Sequence, residues 1–170
     1  MRGGDDDRSR VVAVIGAGTA ADAEVAAAQR VGERLARRGV AVVTGGLGGV
    51  MAAATRGARS AGGRTIGLLP GSDRAAADPS VEVAIPTGLG EARNVLVVRT
   101  ADAVVAVGGE YGTLSEIAFA LKLGIPVVGL DTWQLHRRGQ PDPGIEVASS
   151  PEAAADRAVE HALEHRGRGR

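Results

Sequence analysis

The chain contains no cysteine. That excludes disulfides, thiolate metal ligands and a cysteine nucleophile. Aromatic residues make up only 2% of it, so a core must be built from Val, Ala, Leu and Ile. Tyr111, Phe119 and Trp133 are then the few groups on which a ring can stack. Neither sign of charge is in excess, since 20 basic side chains stand against 20 acidic ones. Such a balance argues against nucleic acid or an anionic membrane as the main partner. No apolar run is long enough to span a bilayer, and the charged start, residues 1–10, lacks the form of a signal peptide. Cytoplasmic residence is the expectation. Neither a long-period repeat nor an internal linker divides the chain. One domain is expected over residues 11–165, between disordered tails at 1–10 and 166–170.

With 170 residues, of which 44% are hydrophobic, the chain can bury a core. Short β-branched runs alternate with longer Ala-rich stretches. Strands are expected at 11–15, 40–44, 65–69, 81–85, 103–107 and 126–130, with a last edge strand at 145–148. Helices are expected at 22–38, 50–60, 91–100, 113–123 and 151–165. Ser150 and Pro151 occupy the cap and first-turn positions of the last helix. The segments 72–80 and 134–144 read as loops. The strands are continuously apolar rather than alternating, which is the pattern of strands buried on both faces. The expected fold class is therefore α/β, a doubly wound, Rossmann-like parallel sheet with helices on both sides.

Three strands run into glycine-rich turns, each opening a helix. The first holds Gly16 and Gly18, the second Thr44, Gly45, Gly46, Gly48, Gly49 and Met51, the third Gly108, Gly109, Tyr111, Gly112 and Thr113. In an open parallel sheet, ligands bind beyond the carboxyl ends of the strands, where these turns lie. Glycine permits close backbone approach, and the helix behind it offers unpaired N–H groups to an anion. Thr19, Thr44 and Thr113 can add hydroxyls. A dinucleotide site would place an acidic residue at the end of the second strand, but Thr44 stands there. These features point to a phosphate-bearing, nucleotide-like small molecule.

The second and third turns together, GGxGGxM at 45–51 and GGxxGTxxE at 108–116, resemble the motifs GGGxxGxM and PGGxGTxxE of the "lonely guy" superfamily, often labelled lysine decarboxylase-like. The stretch 107–116 and Ala92-Arg93-Asn94 look most like the branch that contains the molybdenum cofactor carrier proteins. The resemblance covers roughly residues 11–130. It implies two activities. Members with the full enzyme motif hydrolyse the N-glycosidic bond of nucleoside 5′-monophosphates using Arg and Glu, which correspond to Arg93 and Glu116 here. Carrier-like members hold the molybdenum cofactor, a phosphorylated pterin, without a reaction. Val107 stands where the motif has proline, and Asn94 where the enzymes have lysine, and both favour the carrier reading. A nucleotide-sensing module is a third reading. The resemblance also implies a homo-oligomer, dimer or tetramer, with no cofactor required beyond a bound molybdenum cofactor or nucleotide. Arg93 suits a phosphate as a bidentate fork, with Arg99 its competitor, and Asn94 follows it into the expected site. Glu116, one turn after Thr113, can face the same pocket.

The remaining polar clusters read as surface features. His161 and His165 are expected to be surface histidines rather than a metal pair. The loop from Trp133 to Arg138 reads as a surface loop, with a ligand lid or subunit contact as alternatives. The Asp5-Asp6-Asp7 run is expected to be a solvated tail.

Overall fold

A computed structural model of the protein describes residues 9–166. Its elements run β1 (Val11–Gly16), α1 (Asp22–Arg37), β2 (Ala41–Thr44), α2 (Gly49–Ser60), β3 (Thr65–Leu69), β4 (Val83–Pro86), α3 (Asn94–Thr100), β5 (Ala103–Val107), α4 (Tyr111–Lys122), β6 (Val127–Leu130), β7 (His136–Arg137), β8 (Gln140–Pro141), β9 (Ile145–Val147) and α5 (Pro151–Arg166). Seven strands form one sheet in the order β4-β3-β2-β1-β5-β6-β9, and every pairing in it is parallel. The tails expected at 1–10 and 166–170 lie largely outside the described residues, as do Asp5, Asp6 and Asp7.

Why the sheet is sandwiched follows from its sequence. Along β1, Val12 and Val14 pack with α1, α2 and α5, while Ala13 and Ile15 pack on the opposite face with α3 and α4. Successive strand side chains alternate between faces, so a strand apolar at every position feeds two cores at once. The residues are small because the helices approach closely. Gly57 of α2 lies against the carbonyl oxygen of Gln29 on α1, and Gly32 of α1 against that of Ala54 on α2, with no room at either for a Cβ. Arg30 and Arg34 of α1 also form ion pairs with Glu152 and Asp156 of α5.

Several boundaries differ from expectation, β4 among them, which runs over Val83–Pro86 rather than 81–85. The segment 91–100 is a 3₁₀ turn, Gly90–Arg93, followed by the shorter α3. Helix α4 begins at Tyr111 rather than Thr113, so Tyr111 and Gly112 belong to its first turn and not to the loop before it. The loop 134–144 contains the small antiparallel pair β7–β8. Ser150 caps α5 as expected, its hydroxyl accepting from Ala153 N at 3.1 Å.

Candidate functional site

The chain lays β2, β3 and β4 down on one side of β1 and then crosses to build β5, β6 and β9 on the other. The order therefore reverses between β1 and β5. At such a reversal the connections leave in opposite directions and open a crevice beyond the carboxyl ends. A cleft of about 390 Å³ lies there, lined by Gly16, Ala17, Gly18, Thr19, Met51, Arg93, Asn94, Glu110, Gly112, Thr113 and Glu116. The register places Gly16 beside Val107, so the turns after β1 and β5 form its two walls.

The first turn of α4 forms one of these walls. Leu114 N is the first amide of the helix to bond within it, to Glu110 O at 3.0 Å. The N–H groups of Tyr111, Gly112 and Thr113 precede it and have no intrahelical acceptor, by the geometry of any helix start. They carry the positive end of the helix dipole. Thr113 is buried at the cleft wall, and Glu116 lies one turn further along, 8% exposed.

Arg93 and Glu116 are both buried charged residues of this cleft. Burial pushes the Glu116 carboxyl up to about 7, against the pull of Arg93. Burial likewise holds the Arg93 guanidinium below its ordinary value, with Glu116 opposing. Arg93 is also tied to the sheet. Its Nη1 donates to the carbonyl oxygens of Gly45 at 2.6 Å and Leu68 at 2.5 Å, while its Nε is buried without a partner. Arg93 thus closes the carboxyl ends of β2 and β3 as well as lining the cleft.

Of the residues expected at the site, Gly16, Gly18, Met51, Arg93, Asn94, Gly112, Thr113 and Glu116 line this cleft. The rest of the second turn lies outside the lining. Thr44 is fully buried, and its hydroxyl accepts from Gly46 N at 3.0 Å, so it shapes the turn. The carbonyl of Gly46 accepts from Asp78 N. Gly49, at φ 59°, presses on the Ala17 carbonyl, and Val50 N donates to that same oxygen at 3.0 Å. Gly48 and Gly49 therefore pack on the turn after β1, Gly46 packs on Gly67 of β3, and Gly45 lies against the Arg93 guanidinium, leaving Met51 as the part of this motif that lines the cleft. Loops two and three are not neighbours either, because β1 lies between β2 and β5.

Gly108 and Gly109 line a separate depression with Glu24, Asp131, Thr132 and Trp133. The Gly108 amide donates to Leu130 O, and its carbonyl accepts from the Thr132 hydroxyl. Tyr111 is largely exposed, its ring centroid 5.5 Å from that of Trp133. Sequence reasoning passed over Ala17 and Glu110 as lining residues. Proximity to the glycine turns was the available signal for both. Arg99 is exposed and outside the lining. His161 does not stand free in solvent: its Nε2 lies 2.7 Å from Glu146 Oε2. Among the described residues no cluster of His, Asp and Glu is arranged to hold a metal ion, and no helix is long and apolar enough to cross a membrane.

Residues 9–155 match the SLOG cluster4 family. The chain belongs to that family. A protein of Archaeoglobus fulgidus without assigned function is 45% identical over 119 residues, which cover 70% of this chain and 78% of that one. Among solved structures, the molybdenum cofactor binding protein of Rippkaea orientalis superposes with a TM-score of 0.82 at 34% identity, covering 92% of this chain and 99% of that one. The molybdenum cofactor carrier protein of Chlamydomonas reinhardtii does so with a TM-score of 0.79, also at 34% identity and with the same coverage. The SLOG cluster4 match extends across β1, β5 and both walls of the cleft.

Proposed function

We propose that this SLOG cluster4 protein binds a phosphorylated heterocyclic small molecule in the β1/β5 cleft and acts as a carrier for it, with the molybdenum cofactor as the candidate cargo. The observation that carries this reading is the cleft at the strand-order reversal, where unpaired amides of α4 converge with the buried Arg93. Helix-start amides and a guanidinium are the donors that a phosphate group accepts from. Asn94, Thr19 and Thr113 add neutral polar groups in the same lining. The similarity to two molybdenum cofactor proteins supports the cargo class.

The alternative, a nucleoside 5′-monophosphate phosphoribohydrolase, rests on Arg93 and Glu116 sharing one cleft. It is the weaker reading because Val107 and Asn94 stand where the full enzyme motif has proline and lysine.

Mass spectrometry of the protein purified from its own cells should find a phosphorylated pterin or nucleotide bound. Incubation with adenosine 5′-monophosphate should release no free adenine. Release of adenine by the wild type, abolished in Glu116→Gln, would establish the hydrolase instead.

We also propose a homo-oligomer in which a second copy covers the face of α4 that leaves Phe119 exposed. Light scattering at micromolar concentration should give at least a dimer mass, and a monomer mass overturns the assignment.

A further inference from the structure

A phosphate in this cleft meets an unusual balance of charge. The lining contains one cation, Arg93, and two carboxyl groups, Glu110 and Glu116. Glu110 is exposed at the N-cap of α4 and makes no capping hydrogen bond. Glu116 is 8% exposed and lines the cleft one turn deeper. The turn after β1 contributes Thr19, α2 contributes Met51 and α3 contributes Asn94, none of which titrates. Glu24 lies across the Gly108 turn, in the neighbouring depression. Arg93 is the one charged group in the lining that favours ionisation of a second anion here, and its Nη1 is already engaged.

A dianionic phosphate cannot share this space comfortably with an ionised, buried Glu116. Like charges a few ångströms apart in a poorly solvated site disfavour joint ionisation, and two carboxylates sharing a site hold one proton for that reason. An ionised carboxylate can only accept hydrogen bonds, whereas the protonated acid supplies an O–H donor. A dianionic phosphate ester or a sulfate has only acceptors to offer. We propose that Glu116 is protonated in the ligand complex and donates a hydrogen bond to the bound anion, so that binding takes up one proton. This rests on the phosphate-site reading above and adds to it the group that discriminates for an anionic acceptor.

The free protein is poised for such a coupling, because its Glu116 carboxyl titrates near neutrality, at about 7. The sign follows. Below that value the acid is already protonated and binding needs no proton. Above it the proton must be captured from solvent, and affinity falls as pH rises. With the bound state fully protonated, affinity drops about thirtyfold between about pH 6 and about pH 8.5.

Calorimetry of the full chain tests this with two probes, adenosine 5′-monophosphate and inorganic sulfate. Sulfate does not titrate in this range, so any proton taken up with it goes to the protein. In buffers of different ionisation enthalpy at about pH 8, both probes should bind with uptake of about one proton. Sulfate affinity should show the thirtyfold fall in the wild type. In Glu116→Gln, whose amide donates at every pH, both the uptake and the pH slope should vanish. Binding without proton uptake overturns the proposal, as does uptake that persists in Glu116→Gln. If neither probe binds at any pH tested, the phosphate-site reading itself is overturned, and this assignment with it.

Discussion

Gly57→Ala will lower the thermal midpoint of this protein by roughly 6–12 °C. Intrinsic helix propensity alone gives the opposite sign, since alanine in a helix interior is favoured over glycine by about 1 kcal/mol. The packing reverses it. A Cβ at Gly57 would overlap the main-chain carbonyl of Gln29, and backbone of a packed helix cannot swing aside as a long side chain can. Accommodating it means separating α1 from α2, and with them the buried layer of Ala28, Val31, Ala54 and Ala58. Overpacking costs about 1–3 kcal/mol, and overlap with main chain puts this case at the upper end, while each kcal/mol moves the midpoint by about 2–4 °C in a chain of this size. Gly71→Ala is the control, because a Cβ there meets nothing within 4 Å. Circular dichroism melts showing the two variants alike would contradict the close helix crossing.

Arg93→Met will lose both stability and ligand affinity. The substitution keeps much of the stem and removes the charged head. The carbonyls of Gly45 and Leu68 then lose the donor that joins the ends of β2 and β3. Bonds to a charged group are worth roughly 1.5–3 kcal/mol each, and buried partners left unpaired add to the loss. Denaturant unfolding should therefore show a decrease of about 3 kcal/mol or more. Affinity for adenosine 5′-monophosphate should drop about tenfold to a hundredfold, as expected for one charge-assisted bond. The Glu116 carboxyl, no longer held down by Arg93, should titrate above its wild-type value of about 7. An affinity loss at unchanged stability would remove Arg93 from its place in the fold. Lower stability with unchanged affinity would remove it from the ligand site.

These two residues show what could and could not be read along the chain. Gly57 carried no signal, because a glycine inside an Ala-rich helix looks the same whether or not another backbone lies against it. Arg93 was legible as a candidate through its place in a motif, and the structure puts it in the cleft lining. Its second role was not, because Leu68 and Gly45 come near it only when β2, β3 and the 3₁₀ turn assemble. Glu116 was legible in position and not in protonation, since its shift comes from burial beneath a cleft that the chain builds from segments nearly a hundred residues apart. The second glycine turn was the most misleading signal. Its glycines look like a phosphate cradle, yet Gly49 faces the Ala17 carbonyl and Gly46 is occupied by Thr44 and Asp78.

What the sequence determined by itself was local and periodic. Uninterrupted Val and Ala runs such as those at 11–15 and 103–107 require cover on both faces, which is enough to specify a parallel sheet between helix layers. Each glycine turn marked where a strand would hand over to a helix. The order of the strands was decided only by the tertiary structure. Any order satisfies the same apolar pattern, but only one that reverses between β1 and β5 opens a crevice over the start of α4. That reversal moved the second turn one strand away from the third and set Gly16 and Ala17 between them. It also put Arg93 and Glu116 into one poorly solvated space, where their charges act on each other.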